Sequence, residues 1–310
     1  MIKRSLYFGN PAYLSLKLRQ LVIKKPEAKG DMPDFDDVGS YREVVKTIPI
    51  EDIGLVVLDC QQITITEGLL EALLENNCAV VTCDKSHLPV GLLLPLYGNK
   101  VQTERYREQI DASVPLKKQI WQQTVQCKIR NQAAVLKYVT GEDARNMLIW
   151  ADAVKSGDAD NLEGRAAAFY WKSVFVDNPK FTRSDDDIVN AMLNYGYAIV
   201  RAIVARALVG AGLIPTLGVH HHNRYDAYCL ADDIMEPYRP YVDRLVIDIV
   251  NAGVPEVLDV NVQRALLELP VKEVIIDGIR RPLMLAVSQT VNSLQKCFSG
   301  SSRKVIYPSM

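Results

Sequence analysis

Residues 212–240 read GLIPTLGVHHHNRYDAYCLADDIMEPYRP. This stretch holds three of the four histidines, together with Asp226, Asp232, Asp233 and Glu236. Neutral imidazole and ionised carboxylates are the side chains that suit Mg, Mn or Zn, with geometry and ligand softness deciding among the three. A lone histidine more often sits on a solvated loop than on a metal, but the carboxylates that follow reverse that weighting. Asp226 precedes Leu230, Ala231, Ile234 and Met235 at helical spacing, which predicts a helix from about Ala227 with Asp226 as its N-cap. Pro237 cannot donate a backbone hydrogen bond and should end or kink that helix. On it, Glu236 should share a face with Asp232, Asp233 or both. Like charges so close need a cation or an arginine between them, and Arg224 and Arg239 are the nearest arginines.

The remainder of the sequence describes an ordinary globular protein. The 310 residues, 48% of them hydrophobic, suit one large or two medium domains. A net charge of −1 provides no global field to recruit nucleic acid, so any such binding must rest on local basic patches or a metal. The six cysteines, at 60, 78, 83, 127, 229 and 297, form no CxxC pair, which points to a reducing cytoplasm without disulfides. No signal peptide is expected from MIKRSLYFGN, and no membrane span from Ala198–Leu217, which carries Arg201 and Arg206.

The fold class expected is α+β, with a small β-rich domain over 1–97, a linker at 98–102 and a larger all-helical domain over 103–310. In the first part, short β-rich runs at Leu6–Phe8, Tyr13–Leu16, Leu21–Lys24, Val44–Ile48, Leu55–Leu58 and Ala79–Cys83 are separated by breakers, with one helix opening at Thr66. The stretch from Pro26 to Tyr41 reads as an exposed loop. The turn-rich YGNKVQ marks the change to helical periodicity. Helices follow over Thr103–Ala112, Pro115–Val139 and Glu142–Ser156, with Trp121 and Trp150 placed in the core. Asn161–Phe175 contains Glu163 followed by Gly164, a poor helix residue that permits backbone or ligand approach, while Glu163 could equally be an exposed first-turn glutamate. A long helix begins at the acidic Ser184–Asp187 and carries NYGY in its middle, where Gly196 suggests a packing or substrate contact. Two further helices, a β-fragment around Asp277-Gly278 and a last helix lead to a tail from Ser299 that is expected to be mobile.

Together, EGRAAAFYW, NYGYAIVRAIVARALVGAGLIPTLGVHHHN and LADDIMEPYRP resemble the CRISPR spacer-acquisition integrases, the family of CRISPR-associated protein one. The HHHN and ADDIMEPYRP forms look most like members that accompany type II effectors. The resemblance implies a metal-dependent DNA endonuclease and integrase in which the 3′-hydroxyl of a DNA fragment attacks a phosphodiester at a CRISPR repeat boundary. It implies that Glu163, His221 and Glu236 bind a catalytic Mg²⁺ or Mn²⁺. The register among His220, His221 and His222 stays open, and Asp233 is an orienting or alternate ligand. Mg²⁺ or Mn²⁺ is preferred to Zn²⁺ because no thiolate joins the set, Cys229 being the residue that could change this. Contacts to double-stranded DNA, both prespacer and repeat, would come from Arg165, Lys172, Arg224 and Arg239, with Lys180 and Arg183 as further candidates. The family's homodimer, formed through the β domain, and its small ferredoxin-like partner, CRISPR-associated protein two, are implied in the same way. Two other functions fit the ligand chemistry: a metal-dependent phosphohydrolase acting on a small phosphate substrate, and a non-catalytic DNA-binding assembly subunit.

Overall fold

The computed structural model describes residues 3–25, 43–175, 181–183 and 187–310. The loop expected over 26–41, Lys180, Ser184, Asp185 and Asp186 lie outside them. The chain divides into two compact units, Met1–Gly98 and Asn99–Met310.

The first unit is built from two four-stranded sheets. In one, β1 (Arg4–Phe8) and β7 (Ala79–Cys83) flank β5 (Ile53–Leu58) in parallel, and β8 (Pro89–Leu93) joins β7 antiparallel. Parallel neighbours on both edges explain why β5 reads as an unbroken apolar run, with Ile53, Leu55, Val56 and Val57 all buried. In the other, β2 (Ala12–Lys17) lies between β3 (Gln20–Lys25) and β6 (Ile63–Ile65), with β4 (Glu43–Pro49) outside β3. The β2–β3 turn is Leu18-Arg19, both at positive φ, so a two-residue turn forms here without the usual Asn-Gly signal. Helix α1 (Glu67–Glu75) sends Leu69 and Leu73 into a core shared with Leu14, Leu21, Ile48 and Val80.

The second unit is organised on two long helices, α3 (Val114–Thr140) and α6 (Ile188–Gly210). Ser113 caps α3 by accepting from the Leu116 amide, and Gly141 at φ 75° ends it. Around α3 lie α4 (Arg145–Ala153) and α5 (Leu162–Val174); α6 packs against α7 (Cys229–Met235), α8 (Arg239–Ala252), α9 (Val260–Leu266) and α10 (Leu283–Phe298), and α2 (Gln102–Ile110) lies on α10. Helix α6 has the length and apolarity to cross a bilayer, yet its apolar window is 72% buried within the fold, as befits a core helix. Gly196 resolves to a helix crossing: a Cβ there would meet Val242 Cγ1 of α8 at 2.4 Å.

The β-fragment expected around Asp277-Gly278 is a hairpin of β9 (Glu273–Ile276) and β10 (Ile279–Pro282), so the second unit is not all-helical. The tail from Ser299 is ordered: Pro308 and Ser309 form β11 beside β9, and the Val305 and Ile306 amides donate to Gln123 and Ser293 side chains. Trp121 is buried, but Trp150 is half-exposed, edge-on to Phe169 and covered by the Arg165 guanidinium. Asp226 does not cap a helix from Ala227; its carboxylate accepts the Tyr228 amide at 2.8 Å and the helix starts at Cys229.

Candidate active site

Glu163 is presented by a tightly fixed helix start. Asp158 accepts the amides of Leu162 and Glu163 at 2.9 and 3.0 Å, and Asn161, in the left-handed region at φ 51°, accepts that of Gly164. The space at Gly164, expected to admit backbone or ligand, is taken by this cap: a Cβ would stand 2.8 Å from Asn161 Oδ1. The Glu163 carboxylate turns inward, where its Oε1 accepts a hydrogen bond from Lys128 Nζ at 2.6 Å.

Glu236 follows the last residue of α7. Pro237 ends the α-helix as its missing N–H dictates, and Glu236–Tyr238 form a 3₁₀ turn before α8. The change of helical phase separates the three acids expected on one face. Asp232 takes a two-pronged hydrogen bond from Arg201 at 2.6 and 2.8 Å, Asp233 points to the histidine loop, and only Glu236 turns toward Glu163. Glu236 Oε1 accepts Arg239 Nε at 2.7 Å, while Oε2 lies against the Lys128 ammonium, in ionic contact but without hydrogen-bond geometry. Burial would push the Glu236 carboxyl up; Arg239 and Lys128 outweigh it and hold it down at about 2. Burial opposes the charge on Lys128 as well, and Glu236 and Glu163 more than restore it. Two carboxylates from separate helices therefore share one buried ammonium.

The histidines are sorted by Asp233, whose side chain is fully buried. Its Oδ2 accepts the Val219 and His220 amides at 2.7 and 2.9 Å; its Oδ1 accepts the His221 amide at 3.2 Å and His221 Nδ1 at 2.5 Å. The loop can wrap this closely because residue 218 is glycine, where a Cβ would lie 2.3 Å from the His221 carbonyl oxygen. The Nδ1 proton assigned by this carboxylate partner leaves the Nε2 lone pair of His221 available for a metal. The Asp233 hydrogen bond raises the His221 pKa against the effect of burial, and Glu236 and Glu163 add to the rise. His220 instead stacks on Trp121, centroids 4.0 Å apart, and burial followed by the neighbouring His221 lowers its pKa. His222 is exposed.

Among the described residues, no group of three His, Cys, Asp or Glu side chains already stands at metal-holding separation. Glu163 and Glu236 nevertheless converge on a cation, and the only cation at the buried Oε2 of Glu236 among the described residues is the Lys128 ammonium. Two carboxylates plus one imidazole is a donor set suited to Mg²⁺ or Mn²⁺, so these residues fit such an ion once the ammonium moves aside. Cys229 stays a thiol, since burial raises it and Sγ donates to the Asp226 and Asn223 carbonyls.

The expected basic residues divide by exposure. Arg165 and Lys172 are exposed, as is Arg224, which stacks over Tyr225. The Arg239 guanidinium is committed to Glu236 and to the face of Tyr197, 4.5 Å away. Lys128, on α3, carries no signal in the sequence; the structure places its ammonium between the two glutamates. A cavity of about 440 Å³ adjoins it, lined in part by Lys128, Glu236, Arg239, Trp171, Arg183 and Asn194. At its wall the buried Asp243 accepts hydrogen bonds from Tyr170 and Tyr197, and burial pushes its carboxyl up to about 6.

The family described as CRISPR associated protein Cas1 matches residues 6–267. A CRISPR-associated endonuclease Cas1 from Neisseria meningitidis serogroup C is 40% identical over 255 residues, 82% of this chain and 78% of that one. Among solved structures, a casposase bound to integration product superposes with TM-score 0.76 at 20% identity over 98% of this chain and 92% of its own. A Cas6-RT-Cas1–Cas2 complex gives TM-score 0.73 at 20% identity over 98% of this chain and 36% of that chain.

Proposed function

Because the chain belongs to the CRISPR-associated Cas1 family, we propose that it is an endonuclease that integrates new spacer DNA into a CRISPR array, with Glu163, His221 and Glu236 holding a divalent metal. The observation that carries this reading is the convergence of Glu163 and Glu236, from separate helices, on a single cation. Bound there, Mg²⁺ or Mn²⁺ would polarise a phosphoryl oxygen and stabilise the attacking or leaving oxygen of a displacement. The reaction joins the 3′-oxygen of the incoming strand to a repeat-boundary phosphorus as the bond from that phosphorus to the 3′-oxygen of the flanking strand breaks. The proton released by the attacking hydroxyl balances the one taken up by the leaving oxygen. Asp233 holds His221 in the tautomer that leaves Nε2 unprotonated, and Arg239 keeps the Glu236 carboxylate ionised and oriented. Arg165, Lys172 and Arg224 would contact double-stranded DNA through its phosphates, giving register and salt dependence rather than sequence choice.

The partners follow from the same reading: prespacer and repeat DNA, a second copy of the chain meeting through the β-rich unit, and a small ferredoxin-like Cas2 bridging two such pairs. A bridged assembly would supply the extended basic surface that a chain of net charge −1 does not carry alone. Gel assays with repeat-containing or branched DNA and Mn²⁺, run with and without Cas2, test the reading. Joined strands that disappear in folded E163Q, H221A and E236Q are expected. Turnover of small phosphate compounds without joining would overturn it in favour of a phosphohydrolase; full joining by the three variants would favour a non-catalytic role for the site.

A further inference from the structure

We propose that Lys128 is a resident cation: in the metal-free protein it bridges Glu163 and Glu236, and a divalent ion displaces its ammonium into the adjoining cavity, where it binds a phosphate of the DNA strand. This rests on the metal reading above and adds a competitor to it.

Three observations carry the inference. First, two ionised carboxylates this close repel one another, and Lys128 is what holds them together, at 2.6 Å from Glu163 Oε1 and in ionic contact with Glu236 Oε2. Second, the two cations at Glu236 differ in kind. Arg239 is anchored by a hydrogen bond from its rigid guanidinium and by the Tyr197 face. Lys128 is a compact charge on a flexible four-carbon stem and has no second anchor of that kind, so it is the partner that can leave. Third, there is somewhere to go. Lys128 lines the cavity of about 440 Å³, whose wall offers the polar side chains of Gln132 and Asn194 beside Trp171.

Charge balance gives the exchange a direction. Glu163, Glu236, Lys128 and Arg239 sum to zero, so an arriving dication adds two positive charges to a set that already contains an ammonium at its binding point. The ammonium must move, and the site with its ion then presents a net positive charge to an approaching phosphodiester. Metal entry and phosphate binding become linked through one side chain.

The linkage predicts opposite effects from two substitutions in the full chain without DNA. In K128M the competitor is gone, so Mn²⁺, followed by the electron paramagnetic resonance signal of the free ion, should bind about tenfold more tightly than in wild type. The metal-free variant should melt lower than wild type and recover on adding Mn²⁺. In K128R the planar guanidinium can hold both carboxylates at once, and Mn²⁺ should bind about tenfold more weakly. With metal and duplex DNA present, K128M should lose about one unit of salt slope in DNA binding. Equal or weaker Mn²⁺ binding by a folded K128M, or equal effects of K128M and K128R, would overturn the proposal. If K128M does not fold, K128Q carries the same comparison. Failure of the underlying metal site would look different: wild type would bind no Mn²⁺ that E163Q or E236Q abolishes.

Discussion

Replacing Asp233 by asparagine tests whether one buried carboxylate both builds the histidine loop and sets the His221 tautomer. Asp233 accepts four hydrogen bonds, two on each oxygen. An amide can keep its oxygen toward the Val219 and His220 amides, but its NH₂ then faces the His221 amide and Nδ1. Two bonds to a charged acceptor are lost, each worth about 1.5–3 kcal/mol. Because the His221 side chain is 43% exposed, water recovers part of this, leaving a destabilisation of about 3–4 kcal/mol. That is a large share of the roughly 5–15 kcal/mol typical of a domain. To satisfy the new NH₂, His221 must accept at Nδ1 and carry its proton on Nε2, the nitrogen proposed to ligate metal. The wild-type His221 pKa is raised, so its charged form contributes stability that is fully present below the unfolded value of about 6.5 and is lost as pH rises through the folded value. The deficit of D233N should therefore be larger at pH 5.5 than at pH 8.5. Urea unfolding at both pH values, with ¹⁵N NMR of the metal-free His221 ring, measures each part. A D233N protein within 1 kcal/mol of wild type, with the same tautomer and no pH dependence of the difference, would refute the reasoning.

Gly218→Ala places a Cβ 2.3 Å from the His221 carbonyl oxygen and 2.9 Å from Asp233 Oδ2, so denaturant melts should show a loss of about 3 kcal/mol as the loop unwraps. Gly196→Ala forces α6 from Val242 on α8 and should cost about 1–3 kcal/mol by the same measurement, with unchanged Mn²⁺ affinity. Burial raises the Asp243 pKa to about 6, so the folded protein holds that proton more tightly than the unfolded chain. This contribution, about 3 kcal/mol, is fully present below about pH 4 and is lost as pH rises through 6; calorimetry should find that component of the pH dependence missing in D243N.

Much of the architecture is legible from local chemistry. The apolar alternation of the early strands, the leucines of TEGLLEALLENN and the proline after Glu236 act through neighbouring residues, which a sequence displays directly. The Leu18-Arg19 turn is not, because two ordinary residues adopt positive φ only where flanking strands impose it. The tail is polar from Ser299 to Lys304, but Val305 and Tyr307 find partners on α3, Ile306 on α10 and Pro308 on β9, which only the tertiary fold provides. At the site, the histidines and carboxylates of 212–240 stand out by ligand chemistry, whereas singling out Glu163, His221 and Glu236 rests on the family resemblance. Helical spacing misplaces Asp232 and Asp233 relative to Glu236 because α7 ends at Met235 and Glu236 begins the 3₁₀ turn. Lys128 is invisible for another reason: a lysine on a helix ordinarily reads as solvated surface, and its burial between two carboxylates exists only once α3, α5 and the Glu236 turn have packed.

Crystals grown with Mn²⁺ and measured at the manganese absorption edge test the metal centre without relying on activity. The account predicts an anomalous peak bonded to Glu163, Glu236 and the Nε2 of His221, with the Lys128 ammonium withdrawn from between the two carboxylates. A fully occupied ion elsewhere in the unit, with Lys128 still bridging both glutamates, would contradict it.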